Sequence, residues 1–140
     1  MNQTLAIIKP DALKSGKAGK ILAHLEEAGF TIQALRLVSL SDAQAGAFYA
    51  IHKEKPFYDR LVTFMTSAPV IPIILEAENA VPKLRETIGA TDPAEAAEGT
   101  VRKLYAESKE RNAIHASDSD DNAKGEIAFF FSSHEQLGMD

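Results

Sequence analysis

The segment from Asn112 to Ser119 gathers residue types that could make a histidine chemically active. It reads Asn-Ala-Ile-His-Ala-Ser-Asp-Ser, so a hydroxyl follows His115 by two positions and a carboxylate follows it by three. Glu126 comes eleven positions after the histidine. A neutral imidazole that hydrogen bonds hold in place is a nucleophile. The spacing therefore indicates nucleophilic chemistry at His115, although a lone histidine in a loop is more often structural.

Three cationic side chains could hold a polyanion near this histidine. Lys9 directly follows the apolar run 4–8, and a charge at the carboxyl end of a strand faces the crevice where ligands often bind. Arg85 and Arg102 belong to segments with helical patterns on either side of Thr91, and their guanidinium groups suit phosphate oxygens. The sequence has neither a Walker-type phosphate loop nor a Rossmann glycine fingerprint. A triphosphate would therefore need these side chains and a metal ion, though each cation alone is more often a solvated charge.

The composition excludes several other kinds of site. The 140 residues contain no cysteine, which excludes disulfides and thiolate sites and favours a cytoplasmic location. We expect no signal peptide, and no apolar run approaches the roughly 20 residues that span a bilayer. A net charge of -5 argues against a general nucleic-acid or acidic-membrane surface. The length and the hydrophobic fraction of 45% predict one folded domain over residues 1–140.

Alternating strand and helix patterns predict the elements that position these groups. Strands are expected at residues 4–8, 30–40, 69–77 and 127–131. Helices are expected at about 15–28, 41–52, 57–66 and 79–88, at a short segment opened by Asp92-Pro93, and between an irregular stretch (108–117) and the last strand. Pro72 suggests an edge strand or a bulge, and Gly125 should weaken the last helix. The pattern favours an α+β, ferredoxin-like (split βαβ) sandwich with a four-stranded antiparallel sheet covered by helices.

Several further motifs follow one another along the chain. They are Ile8-Lys9-Pro10-Asp11-Ala12, Phe48-Tyr49-Ala50-Ile51-His52, Lys55-Pro56-Phe57-Tyr58, Met65-Thr66-Ser67-Ala68-Pro69-Val70, Gly89-Ala90-Thr91-Asp92-Pro93, Gly99-Thr100-Val101-Arg102 and Gly125-Glu126-Ile127. Together with the histidine segment they resemble the signatures of the nucleoside diphosphate kinase family, from about Thr4 to Phe131. Agreement of many motifs in one order is a far stronger signal than any single motif.

The resemblance implies a Mg²⁺-dependent phosphotransferase. Its ping-pong reaction would move the γ-phosphoryl group of a nucleoside triphosphate to a nucleoside diphosphate through a phosphohistidine at His115. The residues implied as catalytic are His115, Lys9, Tyr49, Ser117 and Glu126. Those implied in substrate binding are Lys9, Phe57, Arg85, Thr91, Arg102 and Asn112. Asp118 would hold the Mg²⁺, directly or through water, together with the substrate phosphates.

The resemblance also implies partners. It implies broad base tolerance among ribo- and deoxyribonucleotides, because Phe57 would only stack on the base. It implies a homo-oligomer, either a tetramer or a hexamer, with no membrane and no specific nucleic acid as a partner. Ala116 stands where the family usually has glycine, and alanine would be strained there if the position required a positive φ.

Two alternatives belong to other functional classes. One is a nucleotide- or nucleic-acid-binding module that uses the same fold without catalysis. The presence of every catalytic side chain and the acidic net charge argue against it. The other is a purely structural role in assembly, which could coexist with catalysis.

Overall fold

A four-stranded antiparallel sheet forms the centre of the protein, whose computed structural model describes residues 2–132. The strands are β1 (Gln3–Ile8), β2 (Thr31–Leu35), β3 (Ile71–Glu76) and β4 (Ile114–Ala116), in the spatial order β2-β3-β1-β4. Helices join β1 to β2 and β3 to β4, which are not neighbours in the sheet, and they also join β2 to its neighbour β3. This topology confirms the predicted α+β, ferredoxin-like sandwich.

Helices cover both faces of the sheet. They are α1 (Pro10–Lys14), α2 (Ala18–Glu27), α3 (Asp42–Phe48), α4 (Tyr58–Met65), α5 (Ala80–Ile88), α6 (Val101–Tyr105) and α7 (Asp120–Phe130), with a 3₁₀ turn at Ala50–His52. Alternate residues of β1 point to opposite faces: Ala6 and Ile8 join the core under α2 and α5, whereas Leu5 and Ile7 join the core under α3, α4 and α7. None of the helices in residues 2–132 is long and apolar enough to cross a membrane.

The predicted start of α3 is confirmed by its capping hydrogen bonds. Ser41 Oγ accepts from the backbone N–H of Gln44 at 3.1 Å, and Gln44 Oε1 accepts from the N–H of Ser41 at 2.9 Å. This capping box satisfies two backbone groups that the first turn of a helix leaves without partners. It fixes where α3 begins and thereby where the Phe48-Tyr49 pair at its end is placed.

The prediction of a strand at residues 127–131 is wrong. All but the last of these residues lie in α7, where Ala123, Ile127 and Phe130 are buried at helical spacing while Phe129 is exposed. A short apolar run fits either a buried strand or a helix, and its length alone does not decide between them.

The fourth strand instead lies inside the 108–117 stretch that was predicted to be irregular. Ile114–Ala116 pairs antiparallel with β1, and His115 lies opposite Ile7. The strand has only three residues, two of them alanine-sized or polar, so it carries little sequence signal. As a result, His115 is held on the sheet and not in a loop.

The predicted edge or bulge at Pro72 is also wrong. Pro72 lies in β3, an interior strand, and the register shift is in β2 between Ile32 and Ala34. The carbonyl of Pro72 accepts from the N–H of Arg36 at 3.2 Å. The missing N–H of the proline therefore faces the chain just past the end of β2, where its loss removes little pairing.

Asp92-Pro93 begins turns and not the predicted helix. Asp92 Oδ1 accepts from the N–H of Ala94 at 3.0 Å, as an N-cap would. Isolated bonds from Glu95 and Ala96 back to residues 92 and 93 follow, and no helix forms before α6. The segment that follows contains Gly99, whose φ of 83° does not continue a helix.

Candidate active site

Glu126 reaches from α7 to hold the ring of His115 on β4. Nε2 of His115 lies 2.8 Å from Glu126 Oε1, and Ser117 Oγ donates to the same oxygen at 2.8 Å. Ser117 is fully buried, whereas the side chains of His115 and Glu126 keep 23% and 22% of their surface exposed. A carboxylate oxygen accepts hydrogen bonds, so Nε2 donates in this contact, and in the neutral imidazole Nδ1 then keeps its lone pair.

Two aromatic rings pack edge-on against His115. The ring centres of Phe48 and Tyr49 lie 5.5 Å and 6.2 Å from that of His115. Burial, and then the negative charge of Glu126, raise the pKa of the Tyr49 hydroxyl, so it stays protonated in neutral solution. Tyr49 was predicted to belong to the site, whereas Phe48 was not. An apolar ring gives no sequence signal that separates it from an ordinary core residue.

Lys9 and Asn112 form a hydrogen-bonded pair close to the start of β4. Lys9 Nζ donates to Asn112 Oδ1 at 2.8 Å and to the carbonyl of Glu110 at 3.3 Å, and Asn112 Nδ2 donates to the carbonyl of Thr91 at 3.2 Å. Both side chains are buried. Burial lowers the pKa of Lys9 to about 8, while Asp11 acts in the opposite direction. The lysine is therefore mostly charged at neutral pH and titrates just above it.

Arg102 ties the loop after α5 to β4. Its two terminal nitrogens donate to the carbonyls of Gly89 at 3.0 Å and Ile114 at 2.7 Å. Each terminal nitrogen of a guanidinium has two N–H groups, so one on each remains for a ligand. Burial, and then the charge of Arg85, lower the pKa of Arg102 to about 10, which leaves it charged at neutral pH.

Three of the predicted phosphate ligands line one cavity of about 570 Å³. They are Arg85, Thr91 and Arg102. Arg85 and Arg102 lie on α5 and α6, as predicted. Phe57 lies apart from this cavity at the start of α4, with 37% of its surface exposed. The ring of His52 lies 5.5 Å from its ring centre, and Lys55 Nζ lies 5.8 Å from that centre.

Comparison with known proteins identifies the family of this chain. The family model described as nucleoside diphosphate kinase matches residues 2–136. The chain belongs to the nucleoside diphosphate kinase family. It is 57% identical over 137 residues to the nucleoside diphosphate kinase of Gluconobacter oxydans, with 98% of each chain covered.

Solved structures agree with this assignment. The nucleoside diphosphate kinase of Aquifex aeolicus is 45% identical and matches with a TM-score of 0.93, covering 96% of this chain and 97% of that one. The enzyme of Halobacterium salinarum, solved in complex with CDP, is 36% identical with a TM-score of 0.91, covering 96% and 91%. The predicted family and phosphotransferase activity are thereby confirmed.

Asp118, which the sequence predicts to hold a metal ion, is an exposed carboxylate two residues after β4. The hydrogen bond from the side chain of Asn122 lowers its pKa, and Arg85 and His115 lower it further, so the exposed carboxylate stays ionised. Within residues 2–132 there is no group of three or more acidic or histidine side chains that could hold a metal by themselves. One carboxylate fits Mg²⁺, which keeps several waters and binds substrate phosphates.

Strain lies at Ala113 and not at Ala116. Ala116 pairs with Ala6 in the sheet, and its φ is not positive, so alanine fits this position of the kinase without strain. Ala113 has a φ of 74°, and the N–H of Ile114 donates to the carbonyl of Asn112 at 2.9 Å across it. A three-residue turn of this hand is rare and strained. It leads the chain directly into the strand that carries the histidine.

Proposed function

We propose that His115 is the nucleophile of a ping-pong nucleoside diphosphate kinase. Its Nδ1 would attack the γ-phosphorus of a nucleoside triphosphate, and the bond from that phosphorus to the bridging oxygen would break, releasing the diphosphate. A second nucleoside diphosphate would then attack the phosphohistidine and restore the free imidazole. The observation that carries this proposal is the hydrogen bond between His115 Nε2 and Glu126, which leaves Nδ1 with a lone pair.

Lys9, Arg85, Arg102 and Thr91 would hold the phosphates. Phosphoryl transfer passes through a loose transition state in most analyses, so positioning and neutralisation of charge supply most of the catalysis. The two arginines and Thr91 line one cavity, and the Arg102 guanidinium is already fixed by two backbone carbonyls. A fixed guanidinium loses little further conformational entropy when it binds a phosphate.

The sugar and the base would lie further out. Lys9 and Asn112 form a hydrogen-bonded pair that could also receive the sugar hydroxyls. Phe57 offers an exposed ring face on which a base could stack, and stacking suits every base. The relative from Halobacterium salinarum was solved with CDP, which supports a pyrimidine nucleotide as one substrate. Broad tolerance among ribo- and deoxyribonucleotides follows from a site that grips phosphate and sugar.

The remaining polar groups would prepare the histidine and the metal. Ser117 shares the Glu126 oxygen with His115 and would help to fix that carboxylate. The Tyr49 hydroxyl, which stays protonated, would donate a hydrogen bond near the bound phosphates. Asp118 would hold Mg²⁺, directly or through water, beside the phosphate oxygens. The metal would supply positive charge to those oxygens when it is bound.

We further infer the state of the protein in the cell. It would be a homo-oligomer, a tetramer or a hexamer, because the edge strand β2 and the residue pair after it expose Leu35 at 47% and Leu37 at 67%. Exposed apolar residues on a sheet edge favour association with another chain.

The protein would act in the cytoplasm, since the chain has no cysteine. It would form one catalytic domain over residues 1–140, since the family model covers residues 2–136.

Transfer of label from γ-labelled ATP tests this function. With Mg²⁺, the natural protein should take up acid-labile, base-stable label and pass it to added GDP. His115→Ala should take up none. His24→Ala is the matched control, because His24 lies on α2 beside Tyr105, outside the site, and this variant should behave like the natural protein. A natural protein that is folded and binds nucleotide but takes up no label would contradict the proposal and favour the non-catalytic binding module.

A further inference from the structure

Asp11 is a buried carboxylate behind the proposed phosphate-binding side chains. It lies in the first turn of α1, and only 4% of its surface is exposed. Its Oδ2 accepts from the backbone N–H of Ala113 at 3.0 Å. Its other oxygen, Oδ1, is buried and has no hydrogen-bond partner among residues 2–132. A buried carboxylate with one oxygen that accepts no hydrogen bond is energetically costly, so its position calls for a reason beyond packing.

The group that Asp11 holds is the strained peptide at Ala113. The turn there has a φ of 74°, a conformation that is unfavourable for alanine. The backbone N–H of Lys9 donates to the carbonyl of Ala113 at 2.9 Å, on the other side of the same residue from Asp11. The segment Lys9-Pro10-Asp11 therefore grips both polar groups of Ala113 and keeps the turn from relaxing.

We propose that Asp11 is a positioning residue that fixes the turn at Ala113 without touching the nucleotide itself. The turn carries Asn112 at its start and leads into β4, so it sets where Asn112 and His115 stand relative to each other. The proposal rests on the proposed roles of Asn112 and His115 in substrate binding and phosphoryl transfer. It assigns the effect to the acceptor oxygen of Asp11 and not to its charge.

Two substitutions separate the acceptor from the charge. Asp11→Asn keeps an oxygen that can accept from Ala113 but removes the charge. Its kcat/KM should therefore fall less than that of Asp11→Ala. Asp11→Ala removes the acceptor as well, and its kcat/KM should fall about tenfold or more. The matched control is Asp42→Asn, at the exposed first turn of α3, which should leave kcat/KM unchanged.

A readout independent of turnover completes the experiment. Hydrogen exchange at the Ala113 amide should be slow in the natural protein and in Asp11→Asn, and much faster in Asp11→Ala. An Ala113 amide equally protected in a folded Asp11→Ala, or a kcat/KM that falls as far in Asp11→Asn as in Asp11→Ala, would overturn the proposal. If Asp11→Ala does not fold, the exchange rate of Ala113 in Asp11→Asn decides, and fast exchange there would overturn it. If the natural protein takes up no phosphoryl label, the proposed function fails, and the exchange rates alone decide the positioning role.

Discussion

Glu126 Oε1 lies 2.8 Å from His115 Nε2 and accepts the hydroxyl of Ser117 at the same distance. One oxygen of the carboxylate therefore orients the imidazole while a buried serine fixes that oxygen. Because Glu126 lies on α7 and His115 on β4, their hydrogen bond depends on the packing of this helix against the sheet. An imidazole held at one nitrogen presents the other in a fixed direction, as a nucleophile requires.

Removing the Glu126 carboxylate should slow formation of the phosphoenzyme. Hydrogen bonds to charged groups are worth about 1.5–3 kcal/mol, so Glu126→Ala should lower the single-turnover labelling rate roughly tenfold to a hundredfold. Glu126→Gln should lose less, because the amide oxygen can still accept from the ring. Rapid-quench kinetics measures both rates. Glu78→Ala, at an exposed position, is the control, and a Glu126→Ala rate equal to it would contradict the account.

Phe57→Ala should weaken binding of all nucleotides alike. Stacking of a base on an aromatic ring is worth about 1–3 kcal/mol, so the dissociation constants for ADP and CDP should both rise by roughly fivefold to a hundredfold. Phe57→Tyr keeps a ring and should bind almost normally. Calorimetric titration of the natural protein and both variants with ADP and with CDP measures these dissociation constants. If Phe57→Ala weakened the binding of only one of the two nucleotides, the ring would recognise more than a π-face. A purine-to-pyrimidine preference above about a thousandfold in the natural protein would also contradict recognition by stacking alone.

The burial of Lys9 should make stability rise with pH in an alkaline window. Its pKa is about 8 in the folded protein and 10.5 in its ordinary state, so between these values the unfolded chain binds more protons. The free energy of unfolding contributed by Lys9 therefore increases from about pH 8 towards pH 10.5. Tyr49 acts oppositely, since its raised pKa means that stability is lost once the unfolded tyrosine ionises above about pH 10.

Urea denaturation at pH 8 and pH 10 isolates this contribution. The gain in the free energy of unfolding between the two values should be larger in the natural protein than in Lys9→Met, because methionine has similar length and no charge. Comparing the same interval in both proteins cancels the titration of groups that they share. An equal gain in both proteins would mean that folding does not lower the pKa of Lys9.

Gly125→Ala should stabilise the protein. Gly125 lies inside α7 at an exposed position, and an added Cβ would meet nothing within 4 Å. Alanine is preferred over glycine in a helix interior, so the free energy of unfolding should rise by about 0.5–1 kcal/mol. The contrasting variant is Gly89→Ala, where φ is 88° and the Cβ would lie 2.6 Å from Thr100 Oγ1. It should lose about 2 kcal/mol or more. Thermal unfolding of both variants checks the two signs.

Three side chains that the sequence singled out lie together in the structure, although not all of the elements around them were predicted. His115, Ser117 and Glu126 were singled out by residue type and spacing, and the structure brings them into hydrogen-bonding contact. The helix that carries Glu126 was predicted, but the strand that carries His115 was not, because the three residues of β4 are too few to show a period. The apolar end of α7 was short enough to resemble a strand. Residue chemistry is local, whereas the choice between strand and helix is made by packing.

Asp11 and Phe48 show which parts of the site lie beyond sequence reasoning. Asp11 meets Ala113 from 102 positions away, and no local pattern predicts that contact. Phe48 touches His115 only because α3 ends where β4 passes. By contrast, the capping box at Ser41 involves neighbours in the chain, and it was predicted correctly. Contacts between distant segments follow from the fold, which must be known first.

The position of the nitrogen–phosphorus bond in the phosphorylated protein shows whether His115 Nδ1 is the nucleophile. NMR of protein with isotope-labelled histidine, after reaction with ATP and Mg²⁺, distinguishes the two ring nitrogens through their coupling to phosphorus. We expect a phosphohistidine at His115 with the bond at Nδ1, because Nε2 is held by Glu126. A bond at Nε2, or at another residue, would contradict the role proposed for His115.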